Sequence, residues 1–170
     1  SCFGKIIGGG LPIGAYGGSA ELMDSLTPIG KVFQAGTLSG NPLATAAGLA
    51  VLDRLDAAFY DELTAKATRL AAGLRAAFGE AGAAWHVAHE ATLLGVYCGP
   101  EAPLDYDDAL ATDEAAYSRF FHGMLERGVA MAPAAYEALF PSIAHDDAAL
   151  DRIAEAAGAA AAAAVAVAEG

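Results

Sequence analysis

The 170-residue sequence predicts an α/β protein in two parts, a strand–helix piece followed by a small α+β unit. Three observations carry that reading. Short apolar pieces broken by glycine crowd the start of the chain and suggest buried strand ends joined by tight turns. An amphipathic helical rhythm then runs through residues 61–80. Beyond it come two strand-like runs before the pattern returns to helix. The boundary falls near residue 60, giving parts 1–60 and 61–170.

In the opening stretch, SCFGKIIGGGLPIGAYGG, the apolar pieces are Ile6-Ile7 and residues 11–16. SAELMDSL reads as a short helix with Ser19 as its cap and Glu21 in its first turn. VFQAGTLSGNP passes from an extended piece into a polar loop. Asn41 can cap a helix there, and Pro42 suits its first position. Residues 42–55 are apolar nearly all round, as expected of a helix buried on most sides. In residues 61–80, Leu63, Ala67, Leu70, Leu74 and Phe78 form one stripe, with Lys66, Arg69 and Arg75 elsewhere on the wheel, and GEAG ends the helix.

WHVAHE and TLLGVYCG read as two strands, followed by a linker to about Asp113. EAAYSRFFHGMLERG is a helix closed by Gly128. VAMAP and PSIAH are expected to be brief strands. A last helix starts near Asp146, with Leu150 and Ile153 as its few large apolar residues. The alanine-rich tail, residues 156–168, is too short and too weakly apolar to span a bilayer and reads as an exposed or docked helix.

A net charge of −12, with nine Lys plus Arg, argues against nucleic acid and anionic membrane as partners. Cys2 and Cys98 lie far apart and read as reduced thiols, so a cytoplasmic protein without an export signal is expected. His86, His89, His122 and His145 show no zinc spacing, and DYDDALATDE lacks the glycine of a calcium loop. No metal is expected.

Two motifs carry chemistry. Lys5 is a lone cation in an apolar, glycine-dense run, and burial would depress its pKa and free the amine as a nucleophile. Such a lysine beside a carbonyl cofactor forms an imine. In GTLSGNP, Gly36, Thr37, Ser39 and Gly40 offer backbone N–H groups and two hydroxyls just ahead of a helix N-terminus, which suits a phosphate. An amine and a phosphate site together fit one ligand, although each motif also has an ordinary reading as an exposed lysine or a capped loop.

GKIIGGGLPIGAYGG followed by QAGTLSGNPLATAAGLAVL closely resembles the class III, fold type I, pyridoxal phosphate-dependent aminotransferases. FFHGMLERGV with APAAYEALF further on is similar to the aminomutase branch of that family. The resemblance implies the end of a large cofactor domain in residues 1–60 and a small α+β C-terminal domain in residues 61–170. It implies pyridoxal 5'-phosphate as cofactor, with its pyridoxamine form in the cycle.

By the same resemblance Lys5 is the Schiff-base and proton-shuttling lysine. Thr37, with Gly36 beside it, binds cofactor phosphate in the partner subunit of a homodimer, and Glu137 lies near the substrate. The implied reaction moves an amino group within one small amino-aldehyde, (S)-4-amino-5-oxopentanoate. Alternatives are another class III ω-aminotransferase, or an inactive fragment or pairing module. The chain looks truncated, and the preceding part is expected to supply an aspartate to the pyridine nitrogen and an aromatic to stack on the ring. ATLLGVYCG departs from the family's usual strand at that place.

Overall fold

The computed structural model describes residues 1–166, and the end of the alanine tail, residues 167–170, lies outside them. The chain divides into two compact units, Ser1–Phe59 and the remainder from Tyr60 onward.

In the first unit, β1 (Cys2–Gly4) pairs antiparallel with β2 (Gly14–Tyr16) in the register Cys2↔Tyr16, Phe3↔Ala15, Gly4↔Gly14. A 3-10 turn, Lys5–Gly8, follows β1 directly, so Ile6 and Ile7 lie in this turn rather than in a strand. α1 (Ala20–Met23) is capped by Ser19, whose hydroxyl accepts from the Leu22 N–H. α2 (Pro42–Leu52) starts where the sequence indicates, with Pro42 inside the first turn and Asn41 Oδ1 accepting from the N–H groups of Leu43 and Ala44 at 3.0 and 3.2 Å. Only Ala44 and Gly48 of α2 are buried. The all-round apolar character does not translate into burial here: Leu43 is 73% exposed, and Phe33 in the loop before it 78%.

The second unit holds the hydrophobic core. α3 (Ala57–Glu80) buries Ala67, Leu70, Ala71, Leu74, Ala77 and Phe78, the expected stripe widened by alanine. Its start lies earlier than the stripe indicates, because Asp56 accepts from the Phe59 N–H at 2.8 Å. β3 (His86–Glu90) and β4 (Leu93–Tyr97) form an antiparallel hairpin over the register His86↔Tyr97 to Glu90↔Leu93. Arg75 of α3 donates through Nε and Nη2 to the Val87 carbonyl oxygen and ties helix to hairpin. The rings of Phe78, Trp85 and Phe120 meet edge-on in a triangle, with centroids 5.3–5.5 Å apart.

The expected linker contains a single helical turn, α4 (Tyr106–Ala109), capped by Asp105. α5 (Glu114–Glu126) and α6 (Asp147–Ala166) complete the unit. α6 is docked rather than exposed: Ala156, Ala157, Ala160, Ala161 and Ala164 are buried. Small residues permit this, since a Cβ added at Gly123 of α5 would lie 2.9 Å from Ala160 Cβ. Neither VAMAP nor PSIAH forms a strand. Only Leu139, between them, makes an isolated antiparallel bridge, to Leu94.

Candidate functional site

Lys5 stands where β1 ends, and its φ is +54°. A side chain in that left-handed region costs about 1–2 kcal/mol, so the conformation persists only where the surroundings impose it. Two glycines bring helix α2 against the turn that Lys5 begins. Gly9 ends the turn at φ +57°, and a Cβ there would lie 2.6 Å from the Ala47 carbonyl oxygen. A Cβ on Gly48 would lie 2.2 Å from the Ile7 carbonyl oxygen. Helix α2 therefore presses its bare backbone against the turn that carries Lys5. The Lys5 side chain is exposed, so the first unit alone does not build the apolar niche expected around it.

The loop before α2 is organised by two successive turns, Ser39 N–H to Gly36 O at 2.9 Å and Asn41 N–H to Leu38 O at 3.1 Å. The first-turn donors of α2 are already engaged: Pro42 has no N–H, and those of Leu43 and Ala44 bond to Asn41. The expectation of a phosphate on the helix terminus is thus narrowed to the loop. Among the described residues, the Thr37 and Ser39 hydroxyls and the N–H groups of Gly36, Thr37, Leu38 and Gly40 make no hydrogen bond. Gly36, Leu38, Ser39 and Gly40 line an open cleft of about 760 Å³ with β1 and β2; Thr37 and Lys5 are not part of its lining.

In the second unit, Glu137 is exposed and belongs to a turn, its N–H bonding to the Ala134 oxygen at 3.4 Å. It lines a recess of about 300 Å³ with His89, Glu90, Tyr97 and Tyr136. The His86 and His89 rings bond to the carbonyl oxygens of Pro100 and Ala91. On α5, burial pushes the Tyr117 phenol up to about 12, with smaller contributions from Cys98 and Glu137. Gly9 and Gly48 escaped the sequence reading as site-building residues. A glycine in the middle of the otherwise well-formed helix at 42–52 was the available signal, because it weakens a helix unless a close approach requires it.

The model of the class-III aminotransferase family matches residues 1–159. The chain belongs to that family. A relative named glutamate-1-semialdehyde 2,1-aminomutase, from Delftia acidovorans, is 51% identical over 91% of this chain. The chain spans 35% of that relative's length. Among solved structures, an omega-transaminase from Sphaerobacter thermophilus superposes with a TM-score of 0.89 at 29% identity, over 96% of this chain and 38% of that one. The PLP internal aldimine form of the FumI protein from Sphingopyxis sp. MTA144 superposes with a TM-score of 0.77 at 25% identity, over 96% and 36%. The second unit's helices and hairpin and the first unit's ribbon and helix fit the C-terminal part of a fold type I transferase.

Proposed function

We propose that the full-length protein is a pyridoxal phosphate-dependent aminomutase that converts (S)-4-amino-5-oxopentanoate to 5-aminolevulinate, on the route to tetrapyrroles. The single observation that carries the site is Lys5, an amine on strained backbone clamped by Gly9 and Gly48. The donor set fits the cofactor. Lys5 offers the nitrogen for an aldehyde, and the loop of residues 36–40 offers unspent N–H and hydroxyl groups for a phosphate. Pyridoxal phosphate, in its pyridoxal or pyridoxamine form, supplies when bound an electron sink for the carbon that gives up its proton.

Lys5 Nζ would hold and move the proton exchanged between the cofactor carbon and the substrate carbon. Thr37 and Gly36 hold the phosphate of the partner subunit's cofactor in a homodimer, and Glu137 faces the substrate. The exposed apolar face of α2 packs on the preceding part of the protein. Two free cysteines support a cytoplasmic setting, and among the described residues no helix is long and apolar enough to cross a membrane.

Borohydride reduction of the full-length protein with pyridoxal phosphate, followed by peptide mass spectrometry, should find the adduct on Lys5, and Lys5→Ala should abolish turnover of the semialdehyde. An adduct elsewhere, or full turnover by Lys5→Ala, overturns the reading. The likeness to an omega-transaminase favours a second reading, transfer of an ω-amino group to a keto acid. Robust two-substrate transfer to 2-oxoglutarate without isomerisation would establish that one instead.

A further inference from the structure

Glu137 lies on a strap, residues 132–139, that contains no helix and runs between α5 and α6. Its two ends are fixed. Tyr117 of α5, only 3% exposed, donates its O–H to the Ala132 carbonyl oxygen at 2.8 Å. At the other end Leu139 and Leu94 of β4 exchange backbone hydrogen bonds of 2.8 and 3.2 Å. Between these anchors the Tyr136 O–H donates to Oε1 of Glu114, the first residue of α5, at 2.5 Å. The carboxylate raises the Tyr136 phenol above its ordinary range, so the donor keeps its proton.

We propose that Tyr136, held by Glu114, is a positioning residue for Glu137, and that the middle anchor sets where the Glu137 carboxylate stands in its recess. The proposal rests on the reading of Glu137 as a substrate-side group. Glu137 directly follows the anchored residue, and of the outer anchors Tyr117 feels its charge while neither hydrogen-bonds to its side chain. Ala135 is seated in the core at 7% exposure, and the Glu137 N–H bonds to the Ala134 oxygen at 3.4 Å. The Tyr136 bond is what narrows the remaining freedom of the exposed side of the turn, where a loose carboxylate samples positions that do not serve the substrate. A hydrogen bond from a phenol to a carboxylate is among the stronger kinds, but the pair is exposed and screened by water, so it should favour the ordered form about three- to fivefold.

The test uses the full-length protein with pyridoxal phosphate bound. Tyr136→Phe deletes one oxygen and should accelerate hydrogen exchange in the strap while leaving α3 and α5 protected. It should lower kcat/KM about three- to fivefold, with cofactor absorption and affinity unchanged. Glu114→Ala should match it, Glu114→Gln should recover most of the loss because an acceptor remains, and the double variant Tyr136→Phe with Glu114→Ala should be no worse than either. Unchanged exchange in Tyr136→Phe overturns the anchor. Faster exchange with unchanged kinetics, where Glu137→Gln is impaired, overturns the positioning role alone. An unimpaired Glu137→Gln overturns the reading of Glu137 beneath it.

Discussion

Gly48 of α2 leaves no room for a side chain against the Ile7 carbonyl oxygen: an added Cβ would stand 2.2 Å away. The obstacle is backbone, so it cannot swing aside. Gly48→Ala must push the helix off the turn and release the geometry at Lys5. We expect a loss of about 1–3 kcal/mol, read as a lower urea midpoint of the full-length protein, with slower borohydride labelling of Lys5. Gly79→Ala is the contrast. No atom lies within 4 Å of that position, and it should gain about 0.5–1 kcal/mol.

Neither Lys5 nor Thr37 lines the cleft between the ribbon and the loop of residues 36–40, and the proposed function has Thr37 serve the cofactor of a partner subunit. Lys5→Ala and Thr37→Ala subunits, each inactive as homodimers, should complement when mixed and reassembled. A hybrid has one site with both residues intact. Random pairing gives about a quarter of wild-type turnover. No recovery on mixing would place both residues in the same subunit's site.

Asn41 caps α2 through Oδ1, and its removal exposes two donors. Asn41→Ala should destabilise the helix by about 0.5–2 kcal/mol and speed exchange of the Leu43 and Ala44 amides. Asn41→Asp keeps the acceptor and should leave stability nearly unchanged. Its added negative charge beside the loop of residues 36–40 should nevertheless weaken pyridoxal phosphate binding, measured by fluorescence titration.

The second unit should weaken in alkali. Burial raises the Cys98 thiol from 9.0 to about 12, ahead of Asp113, and the Tyr117 phenol from 10.0 to about 12. Both are acids whose folded pKa lies above the unfolded one. The folded state therefore holds the proton longer, and its advantage is complete below the unfolded values. The advantage is lost as pH climbs through 9.0 and 10.0 towards about 12. Denaturation midpoints at about pH 8 and about pH 11 should show the fall, and Tyr117→Phe combined with Cys98→Ala should flatten it.

What could be read in advance was local. Asn41-Pro42 announces a helix because capping needs only the next three residues. The stripe from Ala67 to Phe78 and the two strands of the hairpin follow from side-chain period. The left-handed Lys5 was not legible, because the turn it begins packs through Ile7 and Gly9 on Gly48 and Ala47, about forty residues away. Nor was the fate of PSIAH, whose pattern suits a strand but whose backbone turns through Ser142 and His145 instead. YEALF, with its helical composition, forms a turn, because Leu139 is drawn to Leu94 and Tyr136 to Glu114. The apolar surface of α2 reads as buried, and within these residues it is not.

The single tryptophan, Trp85, stands against Phe78 and Phe120 in the second unit. Intrinsic indole emission is thus an optical gauge wired to one half of the polypeptide. A melting curve followed at that wavelength would register the α+β unit and stay silent while the lysine-bearing half came apart. Engineering a second fluorophore at Phe33 would give the other half its own signal.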